Sequence, residues 1–332
     1  MAHDIEDYFP GGGAPRITLR EVDAPPLSAA RPEPADIAPV LDPVVQLLRG
    51  KRFAVLTGAG LSTDSGLPDY RSPGSRPRHQ ITLQQFMASE EYRRHYWLRN
   101  HGGWLAPLRA QPNAGHRALA ALEEAGAAVG IITQNVDRLH ERAGSHYVVD
   151  LHGRFDRVVC TNCGIHYDRA FIHRLLVAAN PHADVNPARG QVAPDADLDV
   201  AADARFRVVD CPACGGILRT DVVFFGGSVK PEDRASARHM IDVADAVLVA
   251  GSSLAIGGTY RLARSAYKAG KPLVIINLGP TRADSIAQVV ANVSTSRALP
   301  YLAAHLSATP SVLRSRAHHR PTLAERTERH LR

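Results

Sequence analysis

Short apolar runs recur along the chain and predict the strands of a buried sheet. They are rich in β-branched residues, and stretches with helical spacing separate them. Strands of a parallel sheet covered by helices on both faces have this pattern. The sequence therefore predicts an α/β fold built on a Rossmann-like parallel sheet. The predicted strands are Phe53–Leu56, Val129–Thr133, Val148–Leu151, Val222–Phe225, Ala246–Ala250 and Pro272–Ile276.

Apolar residues at helical spacing predict helices over residues 37–48, 83–97 and 116–124. The segment before them, residues 1–36, is rich in Pro, Gly and Ala and is predicted to be a disordered leader. Residues 37–310 are predicted to form the folded domain, and residues 181–210 to loop out to its surface.

Composition places the chain among globular proteins, because 45% of its 332 residues are hydrophobic and 22% are charged. No apolar run approaches the roughly 20 residues that cross a bilayer, so no membrane partner is expected. The first ten residues carry acids and no Lys or Arg, which predicts a cytoplasmic location. The net charge of +6 includes six arginines and two glutamates in a predicted basic tail, residues 311–332. Such a tail can bind nucleic acid, but a solvated chain end is the more ordinary interpretation.

The only cysteines form two Cys-x-x-Cys pairs, Cys160 with Cys163 and Cys211 with Cys214. Four thiolates make a closed tetrahedral zinc site, which is structural because it leaves no open position. The pattern predicts a small zinc module over residues 154–220. A zinc ribbon can also contact nucleic acid, so a nucleic-acid-binding module is the alternative.

Polar or glycine-rich turns follow most of the predicted strands. Ligands of open parallel sheets bind at the carboxyl ends of the strands, so these turns predict one composite pocket. Any single turn of this kind is weak evidence, because polar turns also end strands in proteins without ligands. The turns are Thr57–Gly60, Gln134–Asp137, His152-Gly153, Gly251–Ser253 and Asn277–Gly279.

The stretch Thr57–Ser72 is the most informative of these turns. Its glycines allow a ligand to approach the backbone closely, and a helix beginning near Ser62 would add its positive end for a phosphate. The spacing Gly58-x-Gly60-x5-Gly66 differs from the G-x-G-x-x-G fingerprint of hydride-transfer enzymes. The stretch therefore indicates a nucleotide pocket of another design, with a purely structural turn as the alternative.

Three polar residues at two strand ends are candidates for chemistry. His152 directly follows a predicted strand and can act as a general base near neutral pH. Asn135 and Asp137 lie two residues apart and can face the same pocket, although Asx side chains also cap turns. His116, on a predicted helix, is assigned a structural role.

Together these stretches resemble the sirtuin family of NAD-dependent protein deacylases over residues 40–305. The chain is most similar to the class II branch, which includes a member with lipoamidase and ADP-ribosyltransferase activities. The resemblance rests on motifs in the family's order. They are Gly58–Ser62, Ser65–Arg71, Thr133–Asp137, Leu151–Gly153, the four cysteines, Val222–Gly226, Gly251–Leu254, Asn277 and, for the branch, Leu151–Arg157 and Gly279–Asp284.

The resemblance implies an NAD-binding Rossmann-like domain with a zinc module and a helical module. It also implies the chemistry: the acyl-lysine oxygen attacks C1′ of the nicotinamide ribose, nicotinamide leaves, and His152 activates a ribose hydroxyl. Gln134, Asn135 and Asp137 would hold the ribose and nicotinamide. Phe225 and the strand before it would pair with the substrate. Residues implied to contact the rest of the cofactor are Gly58, Ala59, Gly60, Thr63, Asp69, Tyr70, Arg71, Gly251, Ser252, Ser253, Asn277, Leu278, Gly279 and Thr295.

Departures from the family pattern concern the substrate side. Gly227 replaces the usual Glu, and Gly257-Gly258 is also unusual. The branch that removes succinyl groups carries a Tyr-x-x-Arg pair. Tyr92 is followed three residues later by His95, so no acid-acyl pocket is predicted. The implied function is release of nicotinamide and O-acyl-ADP-ribose from acyl-lysine proteins and NAD, without a need for nucleic acid. The alternatives are mono-ADP-ribosyl transfer or lipoamidase activity in the same pocket.

Overall fold

A computed structural model describes residues 32–70, 80–183, 197–198 and 200–307. Most of the predicted leader, the predicted cofactor contact Arg71 and the predicted tail lie outside the described residues. Within them the chain forms a six-stranded sheet and a separate three-stranded sheet. No helix among the described residues is long and apolar enough to cross a membrane.

The larger sheet is parallel throughout and has the order β3-β2-β1-β7-β8-β9. This confirms the predicted α/β fold. Strand order reverses direction at β1, whose neighbours are β2 on one side and β7 on the other, and that reversal opens a crevice for a ligand. The strands are β1 Phe53–Thr57, β2 Ala128–Thr133, β3 Val148–Asp150, β7 Ala246–Ala250, β8 Leu273–Ile276 and β9 Val289–Ala291.

Helices cover both faces of this sheet, as the fully apolar strands require. On one face α1, α5 and α10 bury Leu48, Leu122 and Leu302 against it. On the other face α8 and α9 bury Ile241 and Ala263. These helices are α1 Ala38–Leu48, α5 Ala114–Glu124, α8 Pro231–Val243, α9 Gly257–Lys268 and α10 Thr295–Leu306.

The smaller sheet is antiparallel, with the order β5-β4-β6, and carries the four cysteines at or beside its strands. Along the chain α2, α3 and α4 lie between β1 and α5, α6 follows β2, and α7 follows β5. The strands are β4 Gly153–Cys160, β5 His166–Asp168 and β6 Leu218–Val222. The helices are α2 Leu83–Ala88, α3 Glu90–Gly103, α4 Leu105–Arg109, α6 Leu139–Arg142 and α7 Arg169–Ala179.

The predicted strand Val222–Phe225 is wrong in place and partner. The strand ends at Val222 and pairs antiparallel with β4, outside the parallel sheet. Leu218 and Thr220 are buried on either side of the half-buried Arg219, an alternation that a search for continuous apolar runs overlooks. The aromatic side chain of Phe224 does not mark a strand of the parallel sheet. Its ring packs against those of Phe86 and Tyr96.

Three other predictions need correction. No α-helix begins near Ser62, because the chain makes two 3-10 turns there and Gly66 ends them in the left-handed region at φ 82°. The helix predicted over residues 83–97 is two helices, because Ser89 is extended and its hydroxyl caps α3. The insertion does not simply loop out, since Leu198 and Phe206 are buried. Strand β9 was not predicted.

The packing of Gly251 yields a test of stability. A Cβ there would lie 2.4 Å from the Leu61 nitrogen, and its φ is +63°. At Gly270 φ is +73° but a Cβ would have nothing within 4 Å. We expect Gly270→Ala to lose about 1–2 kcal/mol of unfolding free energy from conformation alone. Gly251→Ala should lose at least about 1 kcal/mol more from the clash. Denaturant unfolding measures both, and equal losses would contradict the close contact.

Candidate active site

The turn after β1 contacts the turn after β7, backbone against backbone. The Gly60 amide donates to the Gly251 carbonyl at 2.9 Å. A Cβ on Gly58 would lie 2.9 Å from Cβ of Ser252, and one on Gly60 would lie 2.9 Å from the Gly251 carbonyl oxygen. Side chains on these glycines are excluded between the two turns, so the main chain itself borders the sheet's crevice. This glycine-lined cradle suits a ligand that binds through main-chain amides, such as a dinucleotide pyrophosphate.

A chain of buried polar groups joins this turn to the turn after β2. The Asn135 amide nitrogen donates to the Gly58 carbonyl at 3.0 Å and to the Ser62 hydroxyl at 3.1 Å. The Ser62 hydroxyl in turn donates to Asp137 at 2.7 Å. Ser62 is 2% exposed and Asp137 is 3% exposed, so these bonds are shielded from water. The sequence analysis placed Ser62 at the start of a phosphate-binding helix and did not predict its bond to Asp137.

Asp137 has both carboxylate oxygens occupied. One accepts from Ser62 and the other accepts from the Leu139 amide at 3.0 Å. Burial raises the pKa of this carboxyl, and the two hydrogen bonds act in the opposite direction. The geometry therefore favours an orienting role for Asp137, which holds Ser62 and through it Asn135, over direct contact with a reacting atom.

Gln134 and Ser252 connect the ends of β2 and β7 across the mouth of the crevice. The Gln134 side-chain nitrogen donates to the Ser252 hydroxyl at 2.8 Å, and the same hydroxyl accepts from the Leu254 amide at 3.2 Å. Leu254 has φ of +54°, unusual for a residue with a side chain. Polar groups from three adjacent strands thus converge at one edge, as the composite pocket requires.

His152 follows β3 and precedes β4, so it lies where the chain passes from one sheet to the other. Its carbonyl accepts from the Val223 amide at 2.8 Å. Burial lowers the pKa of its imidazole, and a hydrogen bond with the Gln134 backbone partly offsets this. The imidazole is therefore neutral near pH 7 and available to accept a proton. It is held by the same turn that presents Asn135.

The remaining predicted contacts lie around the edges of the crevice. Asn277 folds back on its own turn, where its side-chain amide donates to the carbonyls of Leu278 and Gly279 at 3.1 and 3.0 Å. Thr63 is exposed, and Thr295 is buried as the first residue of α10. Asp69 and Tyr70 are the last described residues before the gap, and Ala59 and Ser253 lie in the two turns described above.

Two buried histidines, His116 and His140, lie near the end of β1, and the sequence analysis assigned no role to His140. His140 contacts the Thr57 hydroxyl at 3.0 Å, and its ring lies 5.0 Å from that of His116. Burial lowers the pKa of both, to about 4 for His116. Nδ1 of His116 also accepts a hydrogen bond from the Asn113 backbone amide in the N-terminal cap of α5. These contacts are those of a structural residue.

The four cysteine sulfurs form a compact cluster. Sγ of Cys160 lies 3.5 Å from that of Cys214, and Sγ of Cys163 lies 3.8 Å from that of Cys211. All four lie within 4.8 Å of one another. Tetrahedral Zn²⁺ with bonds of about 2.3 Å separates its sulfur ligands by about 3.8 Å, so the cluster fits this ion.

Comparisons with known proteins decide the family. A sequence model of the Sir2 family matches residues 58–257. NAD-dependent protein deacetylase 1 of Mycobacterium avium is 49% identical over 271 residues, covering 81% of this chain and 96% of that protein. The chain belongs to the Sir2 family. NAD-dependent protein deacylase SIR4 of Monosiga brevicollis is 44% identical, and the match covers 72% of this sirtuin and 80% of that protein.

Solved sirtuin structures share the fold. A complex of Sir2 with a p53 peptide and NAD+ is 30% identical, with a TM-score of 0.63, and the match covers 79% of this chain and 96% of that one. A Sir2Tm structure with a propionylated peptide is 29% identical, with a TM-score of 0.62 over the same shares of the two chains.

One feature of the sirtuin's helical region was overlooked in the sequence. Tyr96 and Arg99 on α3 have the Tyr-x-x-Arg spacing that was sought at Tyr92. The Tyr96 ring packs on Phe224, while the Arg99 guanidinium forms an ion pair with Asp197 of the insertion. Arg99 therefore has a carboxylate partner within the protein.

The cysteine cluster predicts that the purified sirtuin carries one zinc ion per chain. Removing it with a chelator should lower the midpoint of thermal unfolding by at least several degrees, because the four thiolates are then no longer joined by a metal ion. Elemental analysis and calorimetry before and after chelation test this. An unchanged midpoint in the metal-free protein would contradict a structural zinc site.

Proposed function

We propose that this sirtuin is an NAD-dependent protein-lysine deacylase that releases nicotinamide and O-acyl-ADP-ribose. The observation that carries the proposal is the convergence of the half-buried His152, whose imidazole has a lowered pKa, with Asn135 and the glycine cradle at one edge of the sheet. Relatives named as NAD-dependent deacetylases and deacylases support the same activity.

The residues fit NAD as co-substrate, which supplies an electrophilic ribose carbon when bound. The amides of the turns after β1 and β7 would hold the pyrophosphate, and Asn277 with Gly279 would border the adenosine. Asn135 and Asp137 would fix the ribose and nicotinamide end. His152 accepts a proton from a ribose hydroxyl, because burial keeps its imidazole uncharged.

The substrate proposed here is an acylated lysine in a protein. Phe225 was expected to pair with the substrate backbone, and its carbonyl already accepts from the Leu83 amide at 2.9 Å. The Val223 and Gly227 amides are likewise bonded within the protein, so a substrate strand would add through the remaining backbone groups of residues 223–227. Because Asp197 already pairs with Arg99, we propose neutral acyl groups over acidic ones. Free cysteines placed for zinc accord with a reducing compartment, so we propose a cytoplasmic location.

A panel of acyl-lysine peptides tests this function. With NAD and an acetyl or longer neutral acyl peptide, we expect release of nicotinamide in equal amounts to deacylated peptide. Succinyl peptide should be poorer, because burial of a second carboxylate near Asp197 is unfavourable. Failure of acetyl, longer-chain and lipoyl peptides alike would sink the proposal. Radiolabel from NAD appearing on a protein instead would favour ADP-ribosyl transfer.

Replacing the proposed base gives a second test. His152→Ala should lower kcat by about 100-fold or more, since general base catalysis contributes about 10²–10⁴-fold. The control is His239→Ala, an exposed histidine on α8. Because the pKa of His152 is lowered, the base form should persist as pH falls, and kcat/KM should decline only below about pH 6.5. A pH profile with its acid limb above that value would contradict an imidazole with a lowered pKa.

A further inference from the structure

Arg138 has a backbone conformation that few residues with side chains adopt. Its φ is 62° and its ψ 19°, and Leu254 is the one other non-glycine residue with positive φ in the described part of the chain. Such a conformation costs on the order of 1–3 kcal/mol unless the residue is glycine. Arg138 directly follows Asp137. An arginine at this position indicates a use for its side chain, because glycine would relieve the strain.

The Arg138 side chain brings together two carboxylates. One guanidinium nitrogen lies 2.6 Å from Oε1 of Glu141 and also forms an ion pair with Oδ2 of Asp150. These side chains are 17%, 26% and 21% exposed, so the charges are largely removed from water. Burial raises the pKa of Asp150 to about 6, while Arg138 acts in the opposite direction. Arg154 lies close enough to act on Asp150 as well.

Asp150 ends the weakest strand that leads into the active site. β3 is an edge strand with three residue pairs, all with β2, and His152 comes two residues after it. Backbone bonds nearby are those of the Leu151 amide to the Thr133 carbonyl and of the Phe155 amide to the Val136 carbonyl, each 3.0 Å, and of the Val223 amide to the His152 carbonyl at 2.8 Å. A short edge strand is poorly fixed by its ladder alone. An ion pair from Arg138 to its last residue adds a side-chain tie.

The two residues of this ion pair, Arg138 and Asp150, each lie next to residues that carry the proposed chemistry. Arg138 adjoins the turn that holds Asn135 and Asp137, and Asp150 adjoins the segment that holds His152. We propose that Arg138 is a positioning residue whose ion pair with Asp150 holds His152 against the Asn135–Asp137 turn. The inference rests on the proposed function, because it takes His152 as the base of that reaction.

The test compares isosteric substitutions of the two carboxylates that pair with the Arg138 guanidinium. Asp150→Asn and Glu141→Gln each remove one carboxylate charge from the same Arg138 nitrogen, but only Asp150 leads to His152. We expect Asp150→Asn to lower kcat for deacylation about 10-fold or more, because small displacements of a catalytic group reach about 100-fold. KM for NAD should change by less than about twofold. Glu141→Gln should keep kcat within about twofold of the wild type.

A second readout separates positioning from general loss of structure. His152 acts after nicotinamide has left, so exchange of labelled nicotinamide into NAD does not require it. In Asp150→Asn the ratio of exchange to deacylation should rise at least about fivefold, whereas a loosened fold lowers both rates together. A ratio equal to that of the wild type would overturn the inference.

Substitutions at Arg138 complete the experiment. Arg138→Gly removes the strain and the ion pair together, but it leaves Asp150 and Glu141 without their shared cation, so it should fold no more stably than the wild type. It should lose deacylation as Asp150→Asn does. Arg138→Lys retains a cation and should recover more activity than Arg138→Gly. The double variant Arg138→Gln with Asp150→Asn should lose no more than the worse single variant.

The outcomes distinguish the two proposals. If the wild type deacylates and both Asp150→Asn and Arg138→Gly stay within about twofold of it, the positioning role is wrong and the proposed function stands. If the wild type neither exchanges nicotinamide nor deacylates any peptide, the proposed function fails and this inference fails with it.

Discussion

The contact between the turns after β1 and β7 is the constraint on which the active site depends. These strands lie side by side where the strand order reverses, and their turns must diverge to open a crevice. The turns nevertheless meet through the hydrogen bond from Gly60 to Gly251 before diverging. A Cβ would clash at Gly58, Gly60 and Gly251. The glycines therefore serve the packing of the protein as well as access for a ligand.

Polar groups around this contact are satisfied mainly by one another. Asn135 binds the Gly58 carbonyl and Ser62, and Ser62 binds Asp137. Since each is buried, loss of one group would leave its neighbour without a partner, at about 1–3 kcal/mol each. Such a network favours one arrangement of these side chains. It also explains why Asp137, with both oxygens bonded, is better placed to orient than to react.

The sequence predicted the parallel sheet, the convergence of polar turns at the carboxyl ends of its strands and the cluster of four cysteines. Apolar strands and paired Cys-x-x-Cys motifs each have a short-range pattern with one main physical explanation. The sequence-based prediction failed where packing between residues distant in sequence determines the local structure. Phe224 is apolar in a segment outside the parallel sheet because its ring joins an aromatic cluster, and the 3-10 turns around Ser62 lie where Gly251 leaves no room for a Cβ beside Leu61. The Arg99–Asp197 pair joins residues almost a hundred positions apart, and no local pattern announces it.

His152 lies on the two-residue link between β3 and β4, so both sheets determine its position. From the parallel sheet it is held by the end of β3 and by the Gln134 backbone. From the antiparallel sheet it is held by Gly153, which has φ of +77° and where a Cβ would lie 2.1 Å from the Asp221 carbonyl oxygen. In that second sheet β4 ends at Cys160, while β5 begins shortly after Cys163 and β6 shortly after Cys214. A zinc ion held by the four cysteines would therefore help to fix the sheet against which the link carrying His152 is pressed.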